Sequence, residues 1–221
     1  MHENFARDLA RILTGYSSPV QPGERVAIVG NIETAGPLLE ALVEAVLARG
    51  GFPNLQAAAM ISADYTPYFE LFLRRANDQQ LDHLDSTIMH WVREADALFF
   101  VKAPANTKAL SSVDPARVAR YRRTVQPFSE TYLNRYAEGT LRWTVCAWPT
   151  QALAQTAEMG LLDYSDFVYA ACGLDQPDPI AYWQGFHDMQ ERLIQWLEGK
   201  SHVELRGPGI DLSFEYDGRP W

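Results

Sequence analysis

Arg25–Gly30 (RVAIVG) is followed by Gly36–Arg49 (GPLLEALVEAVLAR), the pair Gly50-Gly51, and Pro53–Met60 (PNLQAAAM). The first run is β-rich. The second is helix-forming, with Pro37 suited to a first helical turn. The glycine pair stops the helix, and the third run reads as another strand. Strand, helix and strand in so short a span make a βαβ unit, which implies parallel pairing with a right-handed crossover. The helix is apolar at Leu38, Leu39, Leu42, Val43, Val46 and Leu47. So wide a stripe suits a helix pressed between a sheet and a further layer.

A βαβ unit invites a nucleotide reading. The turn after the first strand, Gly30-Asn31-Ile32-Glu33-Thr34-Ala35-Gly36, argues against it. It lacks the close glycines that admit a pyrophosphate and has no P-loop Lys-Ser/Thr pair. Glu33 puts negative charge where a phosphate would sit. The unit is read as architecture.

Working outward, the 221 residues suffice for one large α/β domain or two small ones. A net charge of −9 argues against a nucleic-acid partner and against a polybasic membrane contact. There is no apolar run of membrane-spanning length and no secretory pattern at Met1–Thr14, so a cytoplasmic location is expected. Cys146 and Cys172 are too few for a disulfide framework or a cysteine zinc site.

In order, His2–Tyr16 has the spacing of an amphipathic helix. Ile61–Thr66 reads as a loop and Pro67–Arg75 as a short helix. Tyr65, Tyr68, Phe69 and Phe72 crowd this region, fit either for a pocket wall or for packing. Asp78 is the expected N-cap of a helix through Arg93 or Glu94, on which His83 and His90 share a face. Ala97–Lys102 (ALFFVK) is a continuous apolar strand, as in a parallel sheet.

Asp114-Pro115 opens the next helix, whose Arg117, Arg120, Arg122 and Arg123 form a cationic face, solvated or facing an acidic group. It breaks near Pro127 and resumes toward Ala137. Arg142–Ala147 (RWTVCA) is a strand, Thr150 caps a helix through Met159, and Asp163–Cys172 is another. Ile180–Leu197 is a long amphipathic helix stopped by Gly199. His202–Leu205 and Ile210–Tyr216 form a strand pair of antiparallel flavour. Asp217–Trp221 reads as a turn entering another element. The expected fold is therefore α/β: a mostly parallel sheet of βαβ units flanked by helices, with a terminal β-strand pair. Residues 1–200 are the N-terminal domain. Residues 201–221 start a following, mostly absent domain.

Chemistry is harder to find. His187 and Glu191 are four apart on a helix, but the two-histidine metalloprotease pattern is missing. No Gly-x-Ser-x-Gly elbow occurs. Cys146 lies within a strand without a neighbouring base. The pairs Asp82/Asp85 and Asp175/Asp178 read as caps. No catalytic, cofactor-binding or metal-ligating residue is assigned.

One pattern spans most of the chain. Gln21-Pro22-Gly23-Glu24-Arg25-Val26 leads into the first strand and Asp96-Ala97 into the third. Arg142-Trp143, Pro149-Thr150, Asp178-Pro179 and Trp183 follow. Then come Gly207-Pro208-Gly209 before Asp211-Leu212, and Gly218-Arg219-Pro220-Trp221. This order resembles the thermophilic-type metallo-aminopeptidases, the aminopeptidase T, aminopeptidase S and PepS group. Ile210 stands where that family usually has Thr, and Glu158 and Gly160 flank Met159 where it tends to have Gly and Ser.

The resemblance implies a homodimeric enzyme that removes N-terminal residues from peptides. It would hold two divalent metal ions, zinc or cobalt, in a C-terminal half. None of the family's ligand motifs matches a position here, so the chain is expected to be the N-terminal domain without the catalytic half. The alternative is a stand-alone small-molecule-binding or dimerisation domain without catalytic activity.

Overall fold

The computed structural model describes residues 2–57 and 59–216. The chain forms two compact units, residues 1–175 and 176–221.

In the first unit, β1 (Arg25–Gly30), β2 (Phe52–Gln56), β3 (Ala97–Lys102) and β4 (Arg142–Ala147) form one parallel sheet in the order β2-β1-β3-β4. Helix α2 (Ile32–Ala48) carries the crossover from β1 to β2. After β2 the chain returns through α3 (Tyr68–Arg75), α4 (Asp78–Leu81) and α5 (Ser86–Glu94) to place β3 on the other side of β1. Helices α6 (Pro115–Thr124) and α7 (Gln126–Ala137) lead to β4. Helix α1 (Phe5–Ile12), with a π-turn at Leu13–Ser17, packs on α2, while α8 (Gln151–Thr156) and α9 (Leu161–Ala171) follow β4. The α/β reading therefore holds.

Strand alternation sends side chains to both sheet faces, and on the central strands β1 and β3 both are dry. Ala27, Val29, Leu98 and Phe100 pack with Met89, Trp91 and Val92 of α5 and Phe128 of α7. Val26, Ile28 and Phe99 point the other way, toward the α2 layer, where Leu38, Leu39, Leu42 and Val46 are almost wholly enclosed. Each such side chain contributes roughly 1.5–3 kcal/mol by leaving water. The layers close tightly: a Cβ on Gly30 would lie 2.7 Å from Leu39 Cδ2. Gly50 ends α2 with φ +74°, a conformation glycine adopts without strain. Polar latches align the strand starts: the Arg25 N–H donates to Asp96 Oδ2 (2.8 Å), and Arg142 Nη2 donates to Glu24 Oε2 (2.5 Å).

Element boundaries differ from the sequence reading at several places. Helix α8 ends at Thr156 rather than Met159 and β5 runs on to Gly207, and three further differences have a clear physical cause or consequence. Helix α2 starts at Ile32, not at Pro37, because Asn31 Oδ1 accepts the Glu33 N–H (3.0 Å) and caps the helix a turn and a half earlier. Pro37 then lies inside the helix, where it forgoes one backbone bond. The second strand stops at Gln56 rather than Met60; Ala58, inside the expected run, lies outside the described residues.

The helix expected from Asp78 to Glu94 is two. Asn77 and Gln80 exchange side-chain and backbone bonds in a capping box that starts α4 (2.8 and 2.9 Å). Asp85 then accepts from the Thr87 N–H (2.8 Å) and starts α5 afresh. His83 falls between the helices, so it shares no helical face with His90.

The second unit contains α10 (Pro179–Leu197) and the antiparallel hairpin β5 (His202–Gly207) and β6 (Ile210–Glu215), as expected for the terminal strand pair. Asp178 caps α10 by accepting from the Ile180 and Ala181 N–H groups. Tyr182, Phe186, Met189, Leu193 and Trp196 are all exposed and recur at steps of four and three, the spacing of a helix-packing seam. Leu205, Leu212 and Phe214 of the hairpin are exposed too. The turn expected at Asp217–Trp221 lies outside the described residues.

Candidate functional site

The open parallel sheet has its topological switch point between β1 and β3, where ligands of such sheets commonly bind. Here the loops are tied to one another. Thr34 Oγ1 donates to the Ala103 carbonyl (2.5 Å) and Thr150 Oγ1 to the Pro104 carbonyl (3.0 Å). Glu33 occupies the first turn of α2 and adds negative charge there.

A large cleft lies elsewhere, beside the edge strand β2. It is an open groove of about 1120 Å³ between β2, α3, α4 and the start of α5. Of the four crowded aromatics, Tyr68 and Phe72 line it, while Phe69 and Tyr65 are buried in packing. Tyr121 also lines it, its hydroxyl donating to the Met60 carbonyl (2.7 Å). Burial pushes that phenol up to about 12, so it is a neutral wall group, not a base at neutral pH. Sequence reasoning found the aromatic wall but not Leu55, Arg75 and His83, which only the tertiary fold brings to it.

The remaining candidates are structural. Arg117 donates to the Leu73 carbonyl (2.6 Å) and to the Ala76 carbonyl, so it clasps the end of α3. Arg120 forks onto Asp82 (2.7 and 2.6 Å) and pairs with Asp78 (2.6 Å). That guanidinium holds the Asp82 carboxyl below its ordinary 3.8, and Thr87 does the same for Asp85. The Cys146 thiol is pushed up to about 12 by burial, and Cys172 is raised for the same reason; neither is a ready thiolate. Asp178 is a cap, and His187 and Glu191 are exposed on α10.

One ionisable cluster went unforeseen. His202 Nδ1 meets Glu215 (2.7 Å), its cross-strand neighbour, and Nε2 meets Glu204 (3.2 Å). The signal is the hairpin register, invisible until the turn at Gly207–Ile210 is placed. Hydrogen bonding to Glu215 first, then to Glu204, raises His202 above its ordinary 6.5. The sign follows: the cluster's contribution is complete below the unfolded value and fades as pH climbs through the folded one. NMR titration of the His202 ring is expected to give a midpoint above 6.5, lowered by Glu215→Gln; a midpoint at or below 6.5 contradicts the pairing.

A dinuclear hydrolase needs converging His and carboxylate ligands. Among the described residues no three His, Cys, Asp or Glu side chains gather so that they could hold a metal ion. Nor is any helix of these residues long and apolar enough to cross a membrane. The described residues do not fit the metal pair that the resemblance implies.

Comparison with known proteins places this scaffold. The chain is 25% identical over 216 residues to aminopeptidase 2 of Geobacillus stearothermophilus, covering 91% of this chain and 50% of that protein. It is 25% identical over 146 residues to aminopeptidase T of Thermus aquaticus, covering 59% of this chain and 36% of the relative. The solved structure of wild-type AmpT from Thermus thermophilus superposes with a TM-score of 0.77 at 19% identity, over 96% of this chain and 53% of the other, a likeness of fold. The chain thus spans about half the length of the relatives it matches or less. The profile of the family described as thermophilic metalloprotease (M29) matches residues 2–221, and the chain belongs to that family.

Proposed function

We propose that this chain is the N-terminal domain of a metal-dependent aminopeptidase that removes N-terminal residues from peptides. Its catalytic half, holding two zinc or cobalt ions, is made of residues this chain does not contain. The observation that carries the reading is the mismatch between family and ligands: a metalloprotease chain in which no group of three His, Cys, Asp or Glu side chains among the described residues is arranged to hold a metal ion. The coverage of 50% and 53% of two longer relatives supports it. So do the exposed apolar seam of α10 and the exposed apolar residues of the hairpin, faces that ordinarily pack against further protein. On this reading the hairpin from residue 201 opens the following domain, and the whole enzyme works as a cytoplasmic homodimer on peptides.

The test uses the purified chain, dialysed against zinc or cobalt. Metal analysis is expected to find far less than one equivalent, and aminoacyl-p-nitroanilide turnover is expected at the buffer rate. Two tightly held equivalents with turnover would place the active site within these residues and end the proposal.

A further inference from the structure

The cleft beside β2 has a chemistry of its own. Its walls are apolar: Leu55, Met60, Tyr68, Leu71, Phe72 and Ile88. Tyr68 and Leu71 are each 57% exposed and continue the apolar wall to the surface, so a ligand in the cleft would cover them. Its rim carries hydrogen-bond donors on one side. Arg75, Gln79, Gln80 and His83 border the cleft along the end of α3 and through α4.

The neighbouring arginines are committed. Arg74 bonds Glu70 (2.7 Å) and Ser112, and Arg117 clasps α3. The Arg75 guanidinium makes no hydrogen bond or ion pair among the described residues, although it is the one cation on the wall. Asp85 is the one carboxylate there; its Oδ1 accepts from the Thr87 N–H and hydroxyl (2.8 and 2.7 Å).

An apolar trough with one free guanidinium and one ionised carboxylate complements a ligand with an apolar body and both charges. A guanidinium is suited to a carboxylate, which it can bind with two parallel bonds. The volume of about 1120 Å³ exceeds what one amino acid fills and suits a few residues.

We propose that this cleft binds short apolar peptides, with Arg75 taking the C-terminal carboxylate, Asp85 the N-terminal ammonium, and Tyr68 and Leu71 covering the side chains. The choice of a peptide over another apolar carboxylate rests on the peptidase reading above. The site itself does not, because it needs neither metal nor turnover.

Calorimetry on the 221-residue chain with Leu-Leu-Leu tests it. Saturable binding is expected, weakened about tenfold or more in the C-terminal amide, which loses a charge-assisted bond. Arg75→Gln is expected to weaken the free acid by a similar factor while leaving the amide unchanged and the melting temperature intact. Leu71→Ser is expected to weaken both forms equally. No saturation, or equal binding of acid and amide, overturns the proposal. Decanoate binding more tightly than the peptide overturns the assignment to peptides, whatever the fate of the peptidase reading.

Discussion

Phe99→Ala is expected to cost about 3–5 kcal/mol, the largest loss from any single truncation in the sheet. Phe99 lies in the middle of β3, between Ile28 on β1 and Thr144 on β4, and is 1% exposed. Being on a central strand, it is flanked by backbone on both sides. The α2 layer lies on its face of the sheet, so nothing can slide in to fill the hole. Two terms then add: the transfer energy of the lost ring and the unrelaxed cavity. Against a total stability of about 5–15 kcal/mol, the variant sits near the edge of folding. Urea unfolding followed by the buried Trp91 and Trp148 reads the first unit, and the midpoint is expected to fall without a change in slope. Val145→Ala on β4 is the matched control: its side chain is 42% exposed, and the expected change is within about 0.5 kcal/mol. A loss below about 1 kcal/mol at Phe99 would mean the layers are looser than drawn.

The same packing explains what was legible. Ala97–Lys102 was readable to the residue because a strand covered on both faces has no polar positions in its interior to blur its ends; Arg142–Ala147, half-exposed, was readable from its run of β-forming residues. Boundaries set by single side chains were not. Pro37 is the louder residue near the start of α2, but Asn31 reaches the free N–H groups first. The apolar period runs on through Leu81, Leu84 and Ile88, and it masked the break made by the Asn77–Gln80 box and the Asp85 cap.

Site residues were harder for a related reason. The cleft joins Leu55 of an edge strand to Arg75 and His83, which no local spacing connects. The His202 cluster needs a cross-strand register. Family membership was legible because the order of short motifs survives where the spacing of any one is weak. Catalytic ligands were not assigned from sequence because no local spacing of His and carboxylates carries a ligand motif.

Arg135→Ala is expected to cost about 2–4 kcal/mol, although the residue lies on a helix far from the sheet centre. Its guanidinium closes a junction of three elements. Nη1 donates to the Val92 and Ala95 carbonyls (3.1 and 2.7 Å), and Nη2 donates to the Thr140 carbonyl (2.7 Å). The first two carbonyls end α5, where no intrahelical N–H is left to pair them, and both residues are buried. The third precedes β4. Removing the fork strands carbonyls that water reaches poorly, and it withdraws a cation from the negative end of a helix. Arg135→Lys separates these causes. It keeps the charge but has no planar fork to span two segments, so less than half the loss is expected to be recovered. Full rescue by lysine would make the effect one of helix-end charge alone. Arg122→Ala on exposed α6 is expected to change stability by no more than about 0.5 kcal/mol. If Arg135→Ala behaves the same way, the α5–α7–β4 junction is held by packing, and the hydrogen bonds merely decorate it.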